Sequence, residues 1–177
     1  MTDEATPQKP LHRLRRALRH GLTPIAHARR HFPPDALAEL QHAVREGERQ
    51  HEGEVRVVIE SSLPVSDALA GVTPRQRARA LFAALEMWDT ADHTGVLLYI
   101  NLADHAVELL ADRGIDRRVD RHTWQALCQR LAQGLRTDLS VRPVLDALAE
   151  IHVLLATHFP RRDGHNPNEL DDRPIVL

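Results

Sequence analysis

The chain has 177 residues, the length of one domain with flanking segments. Hydrophobic residues make up 42% of it but aromatic residues only 3%, so the core must be built from Leu, Val, Ile and Ala. A net charge of −2 argues against bulk nucleic-acid binding, and a single cysteine, Cys128, excludes an intramolecular disulfide framework. The sequence shows neither a transmembrane-length apolar run nor a signal-peptide pattern, which predicts a cytoplasmic protein.

Residues 1–31 form a basic segment that we expect to be partly helical. Four leucines recur along one side of its predicted helix: Leu11, Leu14, Leu18 and Leu22. Such a helix either packs on its own domain or stays solvated as an arm. The alternative is peripheral contact with an anionic membrane, for which the contacting arginines would be Arg13, Arg15, Arg16 and Arg19.

The next elements are a helix, a strand and a second helix. Pro33-Pro34 opens the first helix, and residues 53–60 (GEVRVVIE) alternate with the period of two that indicates a strand. A loop follows, and Thr73-Pro74 then has the N-cap and N1 pattern of a helix start. The inner face of that second helix is predicted to carry Ala78, Leu81, Phe82, Leu85 and Trp88.

The stretch HTGVLLYINLADHAVELLADRGI predicts a tight hairpin at the centre of the domain. Residues 96–100 are apolar at every position, which is typical of a strand covered on both faces. The short connection at 101–104 returns the chain antiparallel, so residues 105–111 pair with that strand. Two helices follow, with Asp120 and Ser140 as their predicted N-caps.

This order predicts an α/β fold: a three-layer α-β-α sandwich around a small mixed sheet, with one parallel βαβ crossover and one antiparallel hairpin. We expect the domain to span residues 32–160 and to be followed by a C-terminal tail over 161–177. That tail ends in Ile175-Val176-Leu177, residues with high strand preference. Either it pairs with or covers an edge of its own sheet, or it docks a membrane-bound partner.

The predicted topology sorts the polar loop residues into two groups. At the carboxyl ends of the parallel strands lie Glu60, Ser61, Ser62, Asn101 and Asp104. Open α/β sheets bind ligands at that edge. At the opposite end, the antiparallel return brings Asp112 and Asp116 back beside Asp89 and Asp92.

Converging carboxylates repel one another unless a cation lies among them, and calcium takes about 6–8 oxygen ligands. The sequence therefore predicts a site for calcium or another divalent cation. Its candidate ligands are Asp89, Asp92, Asp104, Asp112 and Asp116. The alternative is that these acids are solvated loop residues or helix caps.

Three pieces of the chain carry a family resemblance. They are GEVRVVIE, the D-x5-GVLLY stretch that begins at Asp89 and continues into AD-x2-V and G-I-D, and the tail NPNELDDRPIVL. With the two closing helices, they make residues 32–160 resemble a TPM domain, the family of plant thylakoid-lumen photosystem II repair proteins and a nematode acetylcholine-receptor modifier. The tail is similar to that of short bacterial members without a transmembrane helix.

The resemblance implies an α/β sandwich and two possible functions. Some members bind calcium, and the family's acidic positions match Asp89, Asp104 and Asp116. Short bacterial members resemble products encoded beside LemA-type and membrane-anchored TPM proteins. This implies a non-catalytic module that binds a divalent cation and such a partner near the inner membrane. Plant members have been assigned acid phosphatase activity, so the alternative is a weak metal-dependent phosphatase acting on phosphomonoesters.

Overall fold

The computed structural model describes residues 10–90, 92–161 and 170–177. Its helices are α1 (Pro10–Gly21), α2 (Ile25–His31), α3 (Pro34–Glu48), α4 (Val65–Ala70), α5 (Pro74–Ala84), α6 (Arg113–Asp116), α7 (Arg121–Thr137) and α8 (Val141–His158). Its strands are β1 (Glu54–Glu60), β2 (Gly95–Asn101), β3 (Ala106–Ala111) and β4 (Ile175–Val176).

The four strands form one mixed sheet in the order β3-β2-β1-β4. β1 and β2 are parallel and are joined through α5, whereas β2 and β3 form the antiparallel hairpin. The predicted α/β sandwich with its mixed sheet is therefore confirmed. β4 pairs parallel to β1 at the other edge, which confirms that the tail pairs with its own sheet.

The core lies on both faces of β2, which is buried at all seven residues. Because side chains alternate along a strand, Val96, Leu98 and Ile100 enter one hydrophobic cluster with α3, α7 and α8. Leu97 and Tyr99 enter a smaller cluster with α5 on the opposite face. The result is three layers with the sheet in the middle.

The predicted helix starts are confirmed by their side-chain contacts. Thr73 and Gln76 form a reciprocal capping box at the start of α5. Asp120 accepts a hydrogen bond from the backbone N–H of His122, and Ser140 accepts one from that of Arg142. Each cap satisfies a backbone donor that would otherwise lack a partner in the first helical turn.

The prediction that Trp88 lies on the inner face of α5 is wrong. The helix ends at Ala84, and Glu86 then adopts a left-handed backbone conformation with φ of 54°. This turn redirects the chain, so Met87 becomes fully buried while Trp88 stays 51% exposed.

The segment read as a loop after β1 contains the six-residue helix α4. It ends at Gly71, whose φ of 83° suits glycine because it has no Cβ. Six residues span fewer than two helical turns, too short to leave a clear period in the sequence.

A buried pair of histidines joins α8 to the segment that precedes β1. Gly53 N–H donates to His51 Nδ1 at 3.1 Å, so the neutral ring carries its proton on Nε2 and donates it to His152 Nδ1 at 2.8 Å. Burial and the neighbouring imidazole lower the pKa of His51 to about 3, and burial lowers the pKa of His152 to about 4. Both rings are therefore neutral at physiological pH.

Gly47 on α3 makes room for this pair, because a Cβ there would lie 2.2 Å from Cγ of His152. We expect Gly47→Ala to lower the free energy of unfolding by about 1–3 kcal/mol through overpacking. Urea denaturation monitored by circular dichroism would measure the change. Gly21→Ala is the matched control, since its Cβ would meet only the Val65 side chain at 3.4 Å. Equal stability of Gly47→Ala and the wild type would contradict the close packing.

Candidate functional site

Helix α1 is attached to the domain through its polar side. Arg16 and His20 are buried together with Ala17. Arg16 donates from Nη2 to Oδ2 of Asp104 at 2.6 Å and from Nε to Oδ1 at 3.0 Å. Arg19 adds a bond from Nη2 to Oδ1 at 2.6 Å. One carboxylate in the turn between β2 and β3 thus holds two arginines of α1.

His20 completes this contact. Leu63 N–H donates to His20 Nδ1 at 2.9 Å, so the neutral ring carries its proton on Nε2, which lies 3.1 Å from Oδ1 of Asp104. Burial lowers the pKa of His20, although Asp104 opposes that shift. Burial would raise the pKa of Asp104, but its bonds to the arginines and the nearby His20 hold it at about 2. We call these four residues, Arg16, Arg19, His20 and Asp104, the α1 clasp.

Because the clasp uses the polar side of α1, the leucine side faces outward. Its four leucines are 64% to 73% exposed. Three more apolar residues on α2 and α4, 43% to 45% exposed, extend the set, and α4 packs directly against α1. We call the set the leucine surface: Leu11, Leu14, Leu18, Leu22, Ile25, Val65 and Leu69. An exposed apolar patch of this kind marks an interaction surface.

Positive charge borders the leucine surface. Residues 10–33 contain six arginines and no acidic residue. Arg15 is exposed and follows Leu11 by four positions, which places it on the same side of the helix. Arg29 and Arg30 of α2 are exposed as well. Arg16, by contrast, cannot face a lipid surface as the sequence suggested, because its side chain is 5% exposed and bound to Asp104.

The carboxyl ends of β1 and β2, where the topology predicted a ligand site, are filled by the protein's own groups. Glu60 is buried, and its carboxylate accepts from Nε of Arg77 at 3.1 Å and from Nη2 of Arg77 at 2.7 Å. It also accepts from the Tyr99 hydroxyl at 2.5 Å. Burial and the bond to Glu60 raise the pKa of Tyr99. Asn101 donates to the Tyr99 hydroxyl, and Ser61 accepts from the Ala28 N–H. This edge therefore serves to attach α1, α2 and α5.

The predicted cation ligands divide between the two ends of β2. Asp104 belongs to the α1 clasp, whereas the other four lie at the start of β2, about 20 Å away along a seven-residue strand. Of these four, Asp89, Asp92 and Asp116 are exposed. Asp112 is buried, and its Oδ1 accepts from the Arg113 N–H at 2.7 Å as the N-cap of α6.

The acidic loops touch each other through Gly114. Its N–H donates to the carbonyl of His93, and a Cβ there would lie 2.5 Å from the carbonyl oxygen of Asp92. Beside this contact is a cavity of about 180 Å³, whose lining includes Asp92, Arg117 and Arg118. Within residues 10–90, 92–161 and 170–177, no group of three or more His, Cys, Asp or Glu side chains is arranged to hold a metal ion. The cation site stays a prediction.

The comparison with family models decides the classification. The model of the TPM domain matches residues 29–147. The chain belongs to the TPM domain family. This TPM-domain chain also resembles the NMR structure of BA42 from the psychrophilic bacterium Bizionia argentinensis, with 22% identity and a TM-score of 0.68 over 80% of this chain and 92% of BA42. That likeness shows the fold alone. Among curated proteins, none matches the chain.

Which side of α1 packs against this TPM domain could not be predicted from the sequence. The leucine period marks one side of the helix, but such a stripe normally packs inward. The outward orientation of the leucines depends on Asp104, which lies 88 positions from Arg16 in the sequence. The only local signal is that Arg16, Ala17 and His20 share the side opposite the leucines. Over the part of the chain that the structure describes, no helix is both long and apolar enough to cross a membrane.

We expect Asp104→Asn to release α1, because it leaves Arg16 buried without its carboxylate, and breaking a buried ion pair costs about 3–5 kcal/mol. Amide hydrogen exchange should accelerate in α1 while β2 keeps its protection. In the wild type, the carboxylate's contribution is complete above pH 3.8 and is lost as the pH falls through about 2.

Asp92→Asn provides the control for this experiment, since it removes an exposed carboxylate at the opposite end of the sheet. Unchanged protection of α1 in Asp104→Asn would show that the clasp does not hold the helix.

Proposed function

We propose that this TPM-domain chain is a non-catalytic module that associates peripherally with an anionic membrane surface through its leucine surface. The observation that carries the proposal is the outward orientation of Leu11, Leu14 and Leu18 on α1, and of Leu22 just after it, while Asp104 fixes the other side of the helix. Because the clasp holds α1 in place, the leucines can enter the interface without any refolding of the domain.

The chemistry of the surface suits an anionic membrane interface. A helix that lies in a membrane interface buries its apolar side about 5–10 Å deep and places basic residues at the headgroups. At about 1.5 Å per residue, the 12 residues of α1 form a rod about 18 Å long with leucines over its whole length. Arg15, Arg29 and Arg30 would each add about 1 kcal/mol of attraction to anionic lipid. A membrane-anchored TPM protein or a LemA-type protein would then meet the module at the membrane.

Flotation with vesicles of phosphatidylglycerol and phosphatidylcholine tests this proposal. We expect the wild type to float, and Leu14→Gln/Leu18→Gln to stay in solution because it loses most of its apolar insertion. Arg15→Gln should bind more weakly and with a smaller salt dependence, since screening acts on the arginine contribution. Val153→Gln is the matched control, because Val153 is 66% exposed on α8, outside the leucine surface.

Two outcomes would overturn the membrane proposal. One is a wild type that remains in solution with anionic vesicles at low salt. The other is a wild-type dimer, detected by analytical ultracentrifugation, that Leu14→Gln/Leu18→Gln converts to a monomer. The second outcome would assign the leucine surface to a contact between protein chains.

The divalent-cation part of the function is a separate proposal. It is supported by the direct contact between the loop of Asp92 and the turn from Asp112 to Asp116, which brings three carboxylates into neighbouring loops. Asp89 is exposed at the start of the same loop. Such oxygens suit calcium, with backbone carbonyls and water completing the coordination.

A cation that binds only the native state raises its stability by mass action. We therefore expect the melting temperature to rise in millimolar calcium and to be unaffected by calcium in Asp89→Asn/Asp116→Asn. Asp146→Asn, an exposed acid on α8, is the control that should keep the response. Identical wild-type melting curves in calcium and in chelator would remove the cation proposal and leave the membrane proposal standing.

The alternative function is a weak metal-dependent phosphatase acting on phosphomonoesters. The feature that favours it is the cavity of about 180 Å³ beside the acidic loops. Arg118 is fixed there, because its Nη1 donates to the His158 carbonyl and its guanidinium lies 4.9 Å from the centre of the Phe159 ring. Phosphoryl transfer also needs a positioned nucleophile or water, and Asp92 and Arg117 at the same cavity are exposed side chains. We therefore rank this alternative second.

A further inference from the structure

The C-terminal segment, residues 170–177, closes the β1 edge of the sheet. Leu177 N–H donates to the Ile59 carbonyl at 3.0 Å, and Ser61 N–H donates to the Leu177 carbonyl at 2.8 Å. Val58 pairs with Ile175 in the parallel register. The segment thus satisfies backbone groups of β1 that an open edge would leave unpaired.

Side chains of the segment fit both faces of the sheet. Ile175 and Leu177 pack against the smaller hydrophobic cluster, with α5. Val176, between them, packs against the larger cluster on the opposite face. Alternate side chains that enter different pockets define the register of a bound strand, which is how proteins recognise peptides by strand addition.

Charged residues before the strand add a second point of recognition. The Asp172 side chain is 2% exposed, and its Oδ2 accepts from Nε of Arg45 at 3.1 Å. Asp171 lies 3.9 Å from Nη2 of Arg56, and Leu170 N–H donates to Oε2 of Glu54. The β1 edge therefore binds two acidic residues followed by an aliphatic strand, and in this structure the chain's own tail provides both.

The tail pairs with β1 over a short length and lies near the surface. Its strand has two residues, and residues 174–177 are all partly exposed. The side chain of Arg45 is 57% exposed, so its ion pair with Asp172 is open to water on one side. Short, partly exposed elements open locally more readily than the core, without global unfolding. Each opening exposes β1, whose unpaired edge is a template for another strand.

We propose that the β1 edge is a strand-binding site that accepts residues 170–177 of a second copy in exchange for the chain's own tail. The occupant is a second copy because that chain carries the acidic pair and the aliphatic strand that this edge already reads. Residues 161–169 can span at most about 30 Å when extended, so a released tail can reach beyond its own domain. Exchange of an identical element between chains is a low-cost route to a dimer. This inference is independent of the membrane and cation proposals.

A fluorescein-labelled peptide of residues 170–177 tests the site by fluorescence anisotropy. In the full chain, Ile175→Asp/Leu177→Asp weakens the internal tail and leaves the β1 edge intact. We expect the peptide to bind this variant at least tenfold more tightly than the wild type, whose own tail competes. Adding Arg45→Glu should weaken binding at least tenfold, because it places a second carboxylate beside the buried Asp172. Adding Arg142→Glu, an exposed arginine on α8, should leave binding unchanged. Absent binding to the weakened variant, or equal binding to both proteins, would overturn the site.

The mass of mixed variants tests the exchange itself. Sedimentation of Ile175→Asp/Leu177→Asp mixed with Arg45→Glu should reveal a dimer, because one chain retains the intact edge and the other the intact tail. Each variant alone should be a monomer. A mixture that stays monomeric would overturn exchange with a second copy. If Ile175→Asp/Leu177→Asp lacked a cooperative thermal transition, Asp172→Asn would replace it in both measurements.

Discussion

Strand β2 is buried at every residue, so both of its faces must be covered by other elements and both of its edges must pair with neighbouring strands. The arrangement of the rest of the domain depends on this requirement. Helices α3, α7 and α8 cover one face and α5 covers the other, while β1 and β3 occupy its edges. The remaining elements complete this arrangement. β4 closes the edge of β1, and the turn after β2 presents Asp104 to α1.

The clasp at Asp104 shows how a charge can decide the direction of an amphipathic helix. In most surface helices the apolar stripe packs inward, since burial of leucine contributes about 1.5–3 kcal/mol per side chain. In α1 the carboxylate of Asp104 binds Arg16 and Arg19. His20 accepts from the Leu63 N–H and places its Nε2 3.1 Å from that carboxylate. The apolar side therefore faces outward, as a surface suited to a membrane or to a second protein molecule.

The sequence predicts those parts of the structure that depend on local pattern. The apolar run of β2 and the N-caps at Thr73, Asp120 and Ser140 follow from residue order. For the tail, residue order left two alternatives, pairing with its own sheet or docking a partner, and the structure shows the pairing. The direction of α1 does not follow from residue order, because a helical period shows which residues share a side but not which side packs.

Sequence patterns did not predict the exposure of Trp88 or the buried histidine pair, and the reasons are related. Trp88 continues the apolar spacing of α5, but the backbone of Glu86 turns left-handed before it. His51 meets His152 across 101 positions, and neither belongs to a recognisable motif. Both outcomes depend on tertiary geometry that no local pattern records.

The clasp and the acidic loops lie at opposite ends of β2. Residues 10–33 carry six arginines without an acid, whereas Asp89, Asp92 and Asp116 at the far end share their loops with the exposed Arg113, Arg117 and Arg118. A negatively charged surface would therefore attract the end of the domain that carries α1 more strongly than the end that carries the acidic loops. With the leucines at that surface, the acidic loops would project into the aqueous phase, on the side where dissolved cations can reach them.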